Sequence, residues 1–79
     1  MKFWKNSGYN YHDMTILSED KLTLLVNVMT REDLIEWLAW NDPNGIYSDE
    51  QSLKELGNVM TREDGIEIFL RQVEENRVL

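Results

Sequence analysis

Seven residues, Asn27-Val28-Met29-Thr30-Arg31-Glu32-Asp33, return letter for letter as Asn58-Val59-Met60-Thr61-Arg62-Glu63-Asp64. Each copy leads into a stretch with helical spacing, Leu34 to Asn41 after the first and Gly65 to Asn76 after the second. In a chain of 79 residues, such a repeat points to one helix–turn–helix unit used twice. That length makes one domain, near the small end of what folds unaided. Thr30 and Thr61 read as helix N-caps, each with an aspartate three residues on, Asp33 and Asp64. Aspartate is shorter than the usual glutamate of a capping box, so a half-formed box is expected.

The rest of the chain is placed around the repeat. In residues 1–17 Phe3, Trp4, Tyr9 and Tyr11 flank Lys5-Asn6-Ser7-Gly8, which suits an aromatic arm or a small hairpin with at least Trp4 docked. Ser18 caps a helix whose first turn carries Glu19 and Asp20. From Lys21 to Met29 the apolar residues fit a helix or a strand. The matching stretch, Ser48 to Leu56, contains Glu50, Gln51, Lys54 and Glu55 and decides for helix. Being apolar on most sides, that first helix is expected at the centre. Pro43 ends the next helix, Asn44-Gly45 offers positive φ for a turn, Ser48 caps again with Gln51 in the reciprocal position, and Gly57 stops the short helix that follows. The expected fold is all-α: an arm over 1–17 and one helical domain over 18–79, with repeat units 18–41 and 48–76. Its four helices fall near 19–28, 31–41, 49–57 and 62–76, as two antiparallel hairpins about a rough internal twofold. The predicted core is Leu22, Leu25, Val26, Leu34, Leu38, Leu53, Leu56, Ile66, Phe69 and Val73.

Comparing the copies sharpens the assignment of faces. Leu34, Ile35 and Leu38 form the apolar stripe of the first copy, with Trp37 at its edge; Gly65, Ile66, Ile68 and Phe69 take those places in the second. Gly65 stands where Leu34 stands, so a close approach of a neighbouring helix or ring is expected there. Glu32 and Glu36, like Glu63 and Glu67, fall on the opposite face. Trp40 matches Arg71, a residue type that stays wet, which makes Trp40 a candidate partner contact, a cover for the Pro43 turn or the seat of the N-terminal arm. Tyr47 carries a weaker version of the same signal.

The formal charge is −7 and uneven: +1 over residues 1–17, −4 over 18–45 and −4 over 46–79. Such a surface repels phosphate backbones and anionic membranes, so neither direct nucleic-acid binding nor membrane adhesion is expected. There is no cysteine, a single histidine, His12, and no apolar run long enough for a signal peptide or membrane span, so the cytoplasm is the default location. One histidine and capping serines leave no nucleophile–base pair, so the chain reads as non-enzymatic with no cofactor. The loop 42–50 carries acids between helices, but its spacing departs from that of an EF-hand, leaving divalent-cation binding a distant alternative. The leading expectation is an acidic protein-binding module, a small regulator or inhibitor docking on a basic partner through Trp40, Tyr47, Glu32, Glu36, Glu63 and Glu67. The alternative is a nucleic-acid mimic, of the kind phages direct at host nucleic-acid-binding defence enzymes. A homodimer is compatible with either.

Overall fold

The computed structural model describes residues 2–77. Met1 of the predicted arm and the last two positions of the predicted 18–79 domain lie outside the described residues. Within these limits the chain is all-helical and contains no strand. In order come α1 (Lys2–Asn6), a 3-10 helix (Tyr11–Ile16), α2 (Glu19–Val26), α3 (Arg31–Asn41), α4 (Asp49–Leu56) and α5 (Arg62–Arg77).

The helix starts follow from their caps. Ser18 Oγ accepts from Lys21 N–H at 3.2 Å, and Ser48 Oγ accepts from Gln51 N–H at 3.3 Å. Both repeat threonines form the full box, correcting the half-formed expectation. Thr30 N–H donates to Asp33 Oδ2 at 2.9 Å and Asp33 N–H to Thr30 Oγ1 at 3.2 Å; Thr61 and Asp64 do the same at 3.4 and 3.1 Å. Each cap stabilises its helix by about 1 kcal/mol. The two upstream helices end differently. Gly57, at φ 81°, closes α4 by donating its N–H to Ser52 O at 3.1 Å. α2 stops two residues sooner than predicted, because Val28 and Met29 N–H turn back to Leu25 and Val26 carbonyls in a tighter i→i−3 pattern.

α3 and α5 form the centre, not α2 as the sequence suggested. α5 packs on α3 and on the 3-10 helix, and α1 packs on α3. A Cβ added to Gly65 would lie 3.4 Å from Leu34 Cδ1, so equivalent positions of the two copies meet. One helical heptad later Asn41 Nδ2 donates to Gln72 Oε1 at 2.9 Å, and these too are equivalent positions. Two such contacts seven residues apart require α3 and α5 to run side by side in the same direction.

The repeat phrase adds a reciprocal exchange. Arg31 Nη1 donates to Met60 O at 3.2 Å, while Arg62 Nε donates to Met29 O at 3.0 Å and its Nη2 to Val26 O at 2.6 Å. The arginine of each copy thus donates to the methionine carbonyl of the other, and Arg62 is a second donor to Val26 O at the end of α2, which also accepts from Met29 N–H. This correspondence stops at the upstream helices. α2 buries Leu22 and Val26, whereas α4 buries only Ser52.

Met14, Leu22, Val26, Met29, Leu34, Trp37, Leu38, Tyr47, Phe69 and Val73 form the core. Of the predicted core, Leu25 and Ile66 pack at its margin. Leu53 and Leu56 are not in it: they are 57% and 60% exposed, because α4 presents Ser52 inward instead. Trp37 moves from the edge to the centre, its indole edge-on to Phe69 at 4.7 Å and its Nε1–H donated to Tyr11 O at 3.0 Å.

The arm is neither frayed nor a hairpin. Asn10 and Asp13 make a third capping box, which starts the 3-10 helix and lets Met14 drop into the core. Trp4 docks as expected, donating Nε1–H to Asp33 O at 2.9 Å, with Phe3 and Tyr11 against its ring. Gly45 also departs from expectation. Its φ is not positive; its lack of a Cβ makes room for the Tyr47 ring, whose Cζ would lie 2.6 Å from one.

Candidate functional site

Trp40 lies at the C-terminal end of α3 and is 41% exposed. The N-terminal segment covers part of it: Tyr11 sits at 5.1 Å and His12 edge-on at 4.8 Å, with Trp37 behind at 6.1 Å. Trp40 therefore both receives the arm and keeps a wet edge. Tyr11 ties this cluster to the acidic stripe of α3, since its hydroxyl donates to Glu36. That bond, reinforced by burial and the carboxylate charge, pushes the Tyr11 phenol up to about 12.

The four predicted glutamates do not act as one set. Glu32, Glu63 and Glu67 are exposed, as the helical wheel implied, but Glu36 is half-buried beneath Tyr11. Glu32 and Glu36 line a shallow hollow with Ile35, Ser48 and the bidentate pair of Arg31 and Asp49, whose two bonds are each 2.6 Å. The Arg31 guanidinium holds the Asp49 carboxyl below the usual carboxylate range.

Tyr47 is corrected from contact residue to core residue, being only 8% exposed. Its hydroxyl donates to Asp42 Oδ2 at 2.8 Å and accepts from Gln72 Nε2 at 2.9 Å, so it is satisfied inside both as donor and as acceptor. Burial, then the Asp42 bond, raise its phenol above the ordinary value. These pairings also bear on the 42–50 loop. Asp42 holds Tyr47 and Asp49 holds Arg31, and no group of three His, Asp or Glu side chains converges among the described residues.

A feature the sequence reading missed lies between α4 and α5. Ile46, Leu56, Val59, Met60 and Ile68 wall a groove of ≈ 380 Å³, with Ser52 at its base and Asp64, Glu67 and Arg71 along one side. Its signal was present in α4, whose leucines at i and i+3, Leu53 and Leu56, were assigned to the core. Only the neighbouring Ser52 turns inward, and a hydroxymethyl group fills far less space than a leucine.

The arginines complete the electrostatic picture. Three of the four, Arg31, Arg62 and Arg77, donate to backbone carbonyls, those of Met60, of Met29 and Val26, and of Leu17. Arg71 is the exposed one. Among the described residues no helix is long and apolar enough to cross a membrane. No protein family, curated protein or solved structure matches the chain.

Proposed function

We propose that the chain is a non-enzymatic protein-binding module, a small regulator or inhibitor that docks through an acidic surface on a basic partner. The observation that carries this reading is the fate of the arginines. Turning three of them onto carbonyls leaves Glu32, Glu63 and Glu67 on the surface of a chain that already has a formal charge of −7. A field of that sign steers a cationic partner and repels nucleic acid. Trp40, with an exposed edge backed by Trp37 and Tyr11, supplies a rigid apolar anchor for the complex.

Beneath this lies an architectural reading: units 18–41 and 48–76 descend from one helix–turn–helix, and the second has diverged at α4. Its support is the reciprocal Arg31 and Arg62 bonds together with the meeting of Leu34 with Gly65 and of Asn41 with Gln72. Phosphate mimicry fits less well, because Glu36 lies under Tyr11 and interrupts the carboxylate run on α3.

Affinity capture with the immobilised chain tests the function. The chain is expected to retain a basic protein in stoichiometric amount. Changing Glu32, Glu63 and Glu67 together to Gln, or Trp40→Ala, is expected to weaken that association at least about tenfold. Equal retention by all three proteins would overturn the reading.

A further inference from the structure

The groove between α4 and α5 marks where the two units part company. With the capping serines Ser18 and Ser48 aligned, Leu22 and Val26 of α2 correspond to Ser52 and Leu56 of α4. The first pair is buried; the second is a buried serine and an exposed leucine. α4 therefore lacks the apolar pair, spaced i and i+4, that seats its counterpart. The apolar walls left open are Ile46, Leu56, Val59 and Ile68.

We propose that this groove receives an amphipathic helix of the partner, with apolar side chains at i and i+4 entering it and lysine or arginine residues flanking them. The assignment rests on the acidic docking described above and names its partner element. Size and charge select the occupant. A groove of ≈ 380 Å³ holds a few side chains and falls at the low end of ligand-sized pockets. Asp64 and Glu67 stand along its side, so a basic flank is complementary and an acidic one is repelled. A second copy of this chain is disfavoured for the same reason, since each copy carries −7. Arg71 sits further along α5 than the two acids, which gives the groove a polarity. A helix whose positive N-terminal end lies by Asp64 and whose negative C-terminal end lies by Arg71 is favoured.

The probe is a short fluorescein-labelled peptide of leucine and lysine, its leucines on one helical face. Two controls share its length: one with the same residues but the leucines scattered around the helix, one with glutamate replacing lysine. The full chain is expected to bind the first peptide by fluorescence anisotropy at least about tenfold more tightly than either control. Leu56→Ala and Glu67→Lys are each expected to weaken that binding, while Glu19→Lys, on α2 and outside the groove, leaves it unchanged. Leu56 is already exposed, so its truncation leaves the fold intact. Equal binding of the scattered peptide, or equal loss with Glu19→Lys, would overturn the groove and reduce the effect to net charge. Partner capture that survives Leu56→Ala and Glu67→Lys but fails with the glutamate triple variant would sink the groove alone. Capture insensitive to both sets would sink the acidic docking reading as well.

Discussion

Gly45 and Gly65 have opposite tolerances for a methyl group, because different atoms face them. Beside Gly45 stands the Tyr47 ring, fixed at its hydroxyl by Asp42 and Gln72. Gly45→Ala is expected to lower unfolding free energy by about 1–3 kcal/mol, since the ring cannot move without breaking those bonds. Beside Gly65 the nearest atom is Met60 Cε at 3.3 Å, the far end of a flexible side chain at the margin of the core. Gly65→Ala is therefore expected to be neutral or stabilising by up to about 1 kcal/mol, helix propensity outweighing a small shift of the methionine. Denaturant titration of the two variants separates these signs. The tyrosines give a pH prediction. Folding raises the phenols of both Tyr11 and Tyr47, Tyr11 to about 12. A raised phenol stabilises the fold fully below the unfolded value near 10, and this contribution is lost as pH climbs from about 10 through about 12. Denaturation midpoints are expected to fall between about pH 8 and about pH 11, and Tyr11→Phe to shrink that fall. An unchanged pH dependence in Tyr11→Phe would show that the Glu36 bond does not set it.

Between elements, the repeat phrase works as a clasp as well as a cap. Thr and Asp start each helix, while Arg crosses to the other copy's carbonyl. Arg62 holds two carbonyls, those of Met29 and Val26, and Arg31 divides between Met60 O and the half-exposed Asp49. Arg62→Leu is accordingly expected to cost about 2 kcal/mol and more than Arg31→Leu, because it removes the donor to Met29 O and one of the two donors to Val26 O, both near the core. Arg62→Lys should restore less than half, since one ammonium cannot span both positions as the guanidinium fork does. The helices themselves were legible because their caps are local: Ser18, Thr30, Ser48, Thr61 and Gly57 each act within a few residues. What escaped was long-range. Nothing near Arg31 in sequence points to Met60, and only the packed fold shows that Ser52 rather than Leu53 or Leu56 turns inward from α4. Met14 was hidden in the same way, since its burial depends on a 3-10 helix started by Asn10. The partial exposure of Trp40 was legible from its mismatch with Arg71, whereas the burial of Tyr47 was not, because its hydroxyl partner Gln72 lies on another helix.

At the scale of the whole molecule, the proposed function and the fold share one resource, the distribution of charge. Three of the four arginines are used to close the structure, and Glu32, Glu63 and Glu67 are left to face the solvent. Complementary charge acts mainly on the rate and selectivity of encounter, so the complex should form quickly and loosen as salt screens it. The most direct measurement is the association rate constant of the captured partner, followed from low salt to about 0.3 M by stopped flow on tryptophan fluorescence. A fall of at least about tenfold over that range, much reduced when Glu32, Glu63 and Glu67 are Gln, is the predicted result. A rate that ignores salt and the three substitutions would contradict an acidic docking surface.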